Sequence, residues 1–410
     1  MSRVLTYVEI DGQTRSAGAA YFNLRRGRLT ATYSYDRDYL GLPGAYAVDP
    51  SLALMTGSWP VPNGLPGAFS DAAPDRWGRN LITRRLRSEA GAAGQVAPTP
   101  DDRDYLLGVS DETRQGALRF KTDTESEFQH PAPDVPKLIA LPALLHAANA
   151  VTRDDPDNLE AIKVLLDAGT GSLGGARPKA SVRDDHRLMI AKFPHHADDW
   201  SVIAWEKTAL DLGEAAGIRV PKRQLVGIDG SPVLLLERFD RKGTHRIGYI
   251  SAMTLLEAQD GDSRDYTEIA EAIPEHSSAA VEDLRQLWRR IAFSVALHNT
   301  DDHLRNHGFL RHGSGWSLAP GFDINPNPNL SAQRVTSIGG ATNPADEVNA
   351  LLVYAESFAL TDSQARAVLR EVADAASDWE SVARSNGISQ SEITRFERTL
   401  SQTINAVRRV

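Results

Sequence analysis

The chain has 410 residues, 41% of them hydrophobic and 24% charged, with 31 glycines, 22 prolines and a net charge of −9. At about 150 residues per domain this length predicts two or three domains with cores that need no staples. The composition excludes a collagen, a wholly disordered chain and a disulfide scaffold, and the acidic balance argues against an autonomous nucleic-acid binder and for a basic protein partner.

There is no cysteine, which excludes thiol catalysis, zinc fingers, iron–sulfur clusters and disulfides. The N-terminus reaches acidic residues before any long apolar run forms. The most apolar later stretch, residues 138–152, contains Pro142 and His146 and is shorter than the ~20 residues a membrane span needs. A cytoplasmic protein with no membrane association is expected.

The first hundred residues read as strands. Residues 29–35 alternate strictly and place Leu29, Ala31, Tyr33 and Tyr35 on one face. Asp11-Gly12 is a hairpin turn, and Arg26-Gly27 punctuates the chain again. Residues 56–74, rich in Gly and Pro, are expected to be loop, followed by a short basic helix over 75–88. Residues 121–137 carry three prolines and several acids and read as a linker. Helical patterns follow at 138–150 and 158–168, then a glycine-rich loop. Strands are expected at 187–193 and 233–239, with an amphipathic helix at 200–216 between them. From about Ser251 the pattern is helical, with capping boxes at Thr361-x-x-Gln364 and Ser389-x-x-Glu392. It is broken by a hairpin over 308–318. Sheet first, helices last and a hairpin within the helical part is a kinase-like layout. The expected fold class is α+β, a protein-kinase-like two-lobed core with an appended N-terminal β-rich subdomain and a mostly helical C-terminal lobe. The expected boundaries are 1–120 for that subdomain, 121–137 for the linker, 138–245 for a nucleotide-binding lobe and 246–410 for a helical catalytic lobe.

The sharpest signal is His298-Asn-Thr-Asp301-Asp-His303-Leu-Arg-Asn306, after a long amphipathic helix. Asp301 and Asn306 have the Asp-to-Asn spacing of a protein-kinase catalytic loop. Asp323 follows the hairpin, where a kinase keeps a further magnesium ligand, and carboxylate and amide oxygens suit Mg²⁺. Either residue alone would read as a helix cap; the three in this order read as a phosphoryl-transfer site. His298, His303 and Asp301 do not match H-E-x-x-H spacing, and the histidines read as satisfied loop residues rather than metal ligands. Gly169-Thr-Gly171-Ser172-Leu-Gly174-Gly175-Ala-Arg-Pro-Lys179 matches G-x-G-x-x-G. It lacks the preceding strand and following helix of a dinucleotide fold, and no Walker motif occurs. What remains is a loop able to cradle phosphates, or a plain helix stop at Gly169. Lys192 lies in an apolar strand, where its charge needs a use such as ATP phosphates, with Glu206 as a candidate partner. Glu237-Arg238-Phe239 ends a strand where a kinase hinge meets adenine. The clusters Arg25-Arg26-Gly-Arg28 and Arg84-Arg85 read as solvated faces.

These residues resemble the HipA-like serine/threonine kinases of bacterial toxin–antitoxin modules. The matching segments are Leu65-Pro-Gly-Ala-Phe-Ser-Asp-Ala-Ala-Pro74-Asp-Arg-Trp77-Gly-Arg, Gly116-Ala-Leu-Arg-Phe120, Ser172 to Ala180, Ala191-Lys-Phe-Pro194, Leu236-Glu-Arg-Phe-Asp-Arg241, Asn299 to Asn306 and Ala319-Pro-Gly-Phe-Asp323. The resemblance implies ATP and Mg²⁺ as cofactors, with Asp301 as catalytic base and Asn306 and Asp323 as metal ligands. It implies nucleotide binding by Gly171, Ser172, Gly174, Gly175, Lys179, Lys192, Glu237, Arg238, Phe239 and His303, and inactivating autophosphorylation at Ser172. It further implies growth inhibition and persistence through phosphorylation of a cytosolic protein, as with the aminoacyl-tRNA synthetases that some members modify. The implied partner is a helix-turn-helix antitoxin of the HipB type, through which alone DNA would be bound. Two other readings are a small-molecule kinase, against which the N-terminal signature argues, and an antitoxin-binding corepressor with weak or no kinase activity.

Overall fold

The computed structural model describes residues 2–129, 135–153, 158–169 and 177–410. It divides into two compact units, Met1–Ala197 with Gly227–Ile250 and Asp198–Val226 with Ser251–Val410.

The first unit opens with strands β1 (Ser2–Ile10), β2 (Gln13–Arg25) and β3 (Arg28–Tyr35). The turns between them, Asp11-Gly12 and Arg26-Gly27, hold φ at 49°, 76°, 50° and 77°. This is the mirror-image turn geometry whose twist suits an antiparallel hairpin. Helix α1 (Arg37–Leu40), β4 (Trp59–Val61), α2 (Gly67–Asp71), α3 (Arg76–Ala92), α4 (Asp102–Leu107) and β5 (Leu118–Lys121) complete this part. The sheet order is β4-β3-β2-β1-β5, antiparallel throughout. Ala31, Tyr33 and Tyr35 are buried on one face, following the alternation.

Residues 56–74 are not all loop, because β4 pairs with Ala31–Tyr33 at the sheet edge and α2 brings Phe69 into the core. Its ring meets Tyr33 and Phe120 at centroid distances of 5.9 and 4.9 Å. Elements of three and five residues are too short to leave a readable period, and aromatic packing holds them in place. Nor is the part before the expected basic helix strands and loop alone, since α1 and α2 interrupt it; that helix is α3. Asp75 caps α3 by accepting from the Gly78 N–H at 2.7 Å.

Helices α5 (Leu141–Thr152) and α6 (Leu159–Asp167) precede strands β6 (Lys179–Asp184) and β7 (Arg187–Lys192). After β8 (Arg223–Ile228), β9 (Ser231–Glu237) returns to pair with β7, and β6 pairs with β7 on its other side. Val233 to Leu236 are all buried, which is why that run shows no polar alternation.

The second unit contributes α7 (Val202–Ala215). Beyond the short strands β10 (Arg241–Lys242), β11 (His245–Arg246) and β12 (Tyr249–Ser251), it continues through α8 (Ala252–Leu255), α9 (Tyr266–His276) and α10 (Ala280–Ala296). The hairpin β13 (Gly308–His312) and β14 (Gly315–Leu318) is followed by α11 (Pro344–Val353), α12 (Asp362–Ser377), α13 (Trp379–Ser385) and α14 (Gln390–Arg408). Helix α10 is the centre: Leu287, Trp288, Ile291 and Val295 are buried, and α9, α11, α12 and α14 pack around it.

The Thr361 capping box forms as expected. The Ser389 box forms only in part. Ser389 accepts from the Glu392 N–H, but Glu392 Oε2 accepts from the Ser201 N–H at 3.0 Å and the Trp205 indole at 3.1 Å. A buried indole N–H needs an acceptor, and Trp205, stacked on Phe396 at 3.9 Å, brings one within reach.

Candidate active site

The site in the second unit is built where α10 ends. His298 adopts φ +52°, and the Asn299 N–H reaches back to Ser294 O at 2.8 Å. The helix therefore stops and the chain turns into the loop carrying Asp301 to Asn306. His298 is itself held by Nε2 against Asn329 O at 2.9 Å, and burial lowers its pKa. It is a satisfied structural histidine.

The two consecutive aspartates have opposite environments. Asp302 is buried and accepts from the Tyr266 hydroxyl at 2.6 Å and from Ser294 Oγ at 3.1 Å. His307 Nε2 lies 3.1 Å from its other oxygen. Burial pushes the Asp302 carboxyl up, but His307, the Tyr266 hydroxyl and Arg334 outweigh it and hold the group well below the usual carboxylate range. Arg334 donates to Ser294 Oγ at 2.9 Å and to Asn299 O at 3.0 Å, and pairs with buried Glu347 at 2.9 Å. Thr336 Oγ1 donates to Asp302 O at 2.7 Å. The loop is thereby fixed from α9, α10, α11 and the 334–336 segment.

Asp301 is exposed. Partial desolvation and the nearby Asp323 and Asp302 charges raise its carboxyl above the ordinary value, against the opposing charge of His303. Asn306 is buried and its Nδ2 donates to Asp301 O at 3.2 Å, which leaves Oδ1 as the amide's acceptor atom. Asp323 sits at φ +57°, with Asn325 Nδ2 at 3.4 Å from its Oδ1. Asn325 Oδ1 is buried and accepts no hydrogen bond among the described residues. The second unit thus groups Asp301, Asn306 and Asp323, with His303 alongside. Two neighbouring carboxylates, Asp301 with its raised carboxyl and Asp323, beside amide oxygens form a set of hard oxygen donors that fits a small divalent cation. Among the described residues no group of three or more His, Asp or Glu could hold a metal on its own, so the amide of Asn306 and ligand oxygens would have to complete the set.

In the first unit, Lys192 ends β7, and its backbone neighbours across the sheet are Lys179 and Leu234. Glu206 is buried on α7, in the second unit. Two of the expected nucleotide contacts are engaged elsewhere. Lys179 is buried, and its Nζ donates to Asp75 Oδ2 at 2.7 Å. Arg238 is buried with Nε and Nη2 on Asp240 at 2.7 and 2.5 Å, and Nη1 on Thr113 O at 2.9 Å. Arg241 joins the same clasp on Asp240 and Arg114 O, and Asp240 accepts the Gly116 N–H at 2.7 Å. Burial raises the Asp240 carboxyl, but Arg238 and Arg241 hold it far below the usual range. A charged side chain buried in this way would leave an unpaired charge behind if it moved to a ligand. The Arg238 N–H is also engaged, by Leu188 O at 3.0 Å. An adenine role for Glu237 to Phe239 would therefore fall to other main-chain groups. Gly171, Ser172, Gly174 and Gly175 lie outside the described residues. Gly169, which ends α6, is at φ +66°, as a helix stop requires.

Sequence reasoning missed Asp302, Tyr266, Ser294 and Arg334. Only the second aspartate of Asp301-Asp302 was a visible signal, and its spacing does not tell it from the first.

Residues 171–379 match the family model of the HipA-like C-terminal domain. The chain belongs to the HipA-like family. Its HipA-like region spans Lys192, Glu237 to Phe239, Asp301, Asn306 and Asp323. The fold agrees with a Shewanella oneidensis MR-1 chain from the solved complex of a toxin–antitoxin system HipA, HipB and its operator DNA. That superposition has a TM-score of 0.71 at 13% identity over 98% of this chain and 97% of the other. A Helicobacter pylori proinflammatory kinase, CtkA, matches with a TM-score of 0.46 at 16% identity, over 58% of this chain and 93% of that one. A Haemophilus influenzae protein named "Putative kinase" is 28% identical over 39% of this chain and 54% of its own length. The HipA-like chain thus spans about half the length of that relative.

Proposed function

We propose that this HipA-like chain is a Mg-ATP-dependent serine/threonine protein kinase acting as the toxin of a toxin–antitoxin module in the cytoplasm. The observation that carries the reading is the pair of aspartates: Asp302 locked in a buried network, and Asp301 exposed beside Asp323 and Asn306. Phosphoryl transfer requires little covalent work from the protein and much positioning. A rigid loop that presents one carboxylate supplies that. Asp301 accepts and orients the proton of the attacking hydroxyl. Asn306 and Asp323 would hold Mg²⁺, which when bound neutralises charge on the transferring phosphate. In the first unit Lys192 takes nucleotide phosphates, together with Gly171, Ser172, Gly174 and Gly175, and Ser172 is the site of self-inactivation.

The solved Shewanella oneidensis relative is in complex with HipB and operator DNA. By analogy, the partner here is a HipB-type helix-turn-helix antitoxin; the substrate proposed from the family resemblance is a cytosolic protein, with an aminoacyl-tRNA synthetase as the first candidate to test. No helix among the described residues is long and apolar enough to cross a membrane.

The test is transfer of labelled phosphate from Mg-ATP, with wild-type and Asp301→Asn proteins. The variant should lose transfer, both to itself and to a substrate, and keep nucleotide binding. Autophosphorylation by Asp301→Asn at the wild-type rate would refute the assignment, and no transfer by the wild type with or without its antitoxin would favour the corepressor reading.

A further inference from the structure

Beyond Asp323 the chain runs Asn325-Pro326-Asn327-Pro328-Asn329, in neither helix nor strand. Proline fixes its own φ and keeps the residue before it extended, so the sequence alone leaves Asn325 to Pro328 little conformational freedom. The two prolines also leave the segment only three amide hydrogens, and each of them is bonded. Asn325 N–H donates to Asn299 Oδ1 at 3.3 Å, Asn327 N–H to His298 O at 3.2 Å and Asn329 N–H to Asn327 Oδ1 at 2.9 Å. Asn327 Nδ2 donates to Thr300 Oγ1 at 2.9 Å, and Asn329 O meets His298 Nε2 at 2.9 Å. Thr399 of α14 donates to Pro328 O at 2.7 Å. Residues 325–329 are thus laced to 298–300, which directly precede Asp301. On the other side of Asp323 the chain is also held. Leu318 N–H donates to Asp283 Oδ2 at 2.9 Å, Ala319 O accepts from the buried Arg290, and Gly321 N–H donates to Arg219 O at 2.7 Å. Between these anchors Asp323 adopts φ +57°, a conformation that residues other than glycine keep only where their surroundings fix it.

We infer that the Asn-Pro-Asn-Pro-Asn segment is a strap that sets the position of Asp323 against Asp301, with Asn327 as its central positioning residue. The strap reaches the carboxylate itself, since Asn325 Nδ2 lies 3.4 Å from Asp323 Oδ1. Apolar contacts are non-directional and would hold such a segment down without fixing its register along the loop. Hydrogen bonds to His298, Asn299 and Thr300 in turn fix both. Phosphoryl transfer depends on holding the metal ligands and the group that orients the attacking hydroxyl in one geometry, and this lacing joins the segment of the one to the loop of the other. The metal's part in the inference rests on the kinase reading; the lacing does not.

The test compares Asn327→Ala, Thr300→Val and the double variant of the full chain with wild type. Two quantities are read: amide hydrogen exchange in the strap, and the free Mg²⁺ needed for half-maximal phosphoryl transfer at saturating ATP. Loss of the Asn327–Thr300 hydrogen bond should speed exchange at the Asn325 and Asn327 amides roughly 3- to 10-fold. The Mg²⁺ requirement should rise by a similar factor. The double variant should be no worse than Asn327→Ala alone, because both single changes break the same bond. Thr300→Ser, which keeps the hydroxyl, should behave as wild type. A segment that served stability alone would lower the melting temperature and leave the Mg²⁺ requirement unmoved, and that result would overturn the inference. So would wild-type exchange at the two amides in Asn327→Ala, or single effects that simply multiply in the double variant. If the wild type transfers no phosphate, with or without its antitoxin, while the strap of Asn327→Ala still exchanges faster, the kinase reading falls and the lacing of strap to loop stands.

Discussion

Replacing Asp302 with alanine should unfold the second unit at a markedly lower temperature, whereas Asp301→Asn one residue away should not. The Asp302 carboxylate is buried, receives the Tyr266 hydroxyl and Ser294 Oγ, and has His307 Nε2 at 3.1 Å. Its removal takes away the short acceptor of the Tyr266 hydroxyl and one of the two acceptors of Ser294 Oγ, and leaves His307 without the carboxylate beside it, next to a guanidinium that shares the network. Removing one partner from a buried charged network costs about 3–5 kcal/mol. For a folding unit of this size each kcal/mol shifts the midpoint by roughly 2–4 °C, so a drop of about 6–20 °C is expected. The sign of the pH dependence follows from the depressed carboxyl. Asp302 contributes stability above the unfolded carboxylate value of about 3.9, and that contribution is lost as pH falls through its lower folded value. The difference between wild type and Asp302→Ala should therefore be present at neutral pH and shrink in strong acid. Thermal melts followed by circular dichroism between neutral pH and acid measure both. An Asp302→Ala midpoint within about 2 °C of wild type at neutral pH would refute the anchoring role, since the expected cost corresponds to several times that shift.

For Asp301 the raised carboxyl reverses the sign: its stabilising contribution is present below the unfolded value and lost as pH rises through the folded one. Asp301→Asn should thus leave the midpoint at neutral pH unchanged or higher, and the acid limb of wild-type phosphoryl transfer should lie above the ordinary carboxylate value; a limb below it would contradict the raised carboxyl. Glu392→Ala removes the shared acceptor of the Ser201 N–H and the Trp205 indole and should cost about 1–3 kcal/mol, read by urea unfolding, with Glu392→Gln partly retaining that loss. With a net charge of −9 the chain alone should bind duplex DNA weakly and lose it steeply with added salt. A gel shift showing tight, salt-resistant binding without a partner would contradict this.

Local chemistry was legible in the sequence because its causes are local. The turns at Asp11-Gly12 and Arg26-Gly27 follow from which residues tolerate positive φ, and the buried face of β3 follows from strict alternation. The apolar face of α10 follows from helical spacing, and the Thr361 box from residues three apart. The Asp301–Asn306 spacing, with Asp323 beyond the hairpin, drew attention to the loop whose residues the fold does group in one unit. Everything set by a distant partner was beyond the sequence's reach. Lys179 and Arg238 read along the chain only as ligand contacts; the fold pairs them with Asp75 and Asp240. The first of those pairs is separated by 104 positions, and no pattern read along the chain could join it. Glu392 was assigned to its own helix end, but a tryptophan 187 residues away takes its carboxylate. Asp301 and Asp302 are the same residue type side by side. Burial decides between them, because a charge removed from water must find hydroxyls, an imidazole and a guanidinium, and only the folded chain brings Tyr266, Ser294, His307 and Arg334 to one of the two.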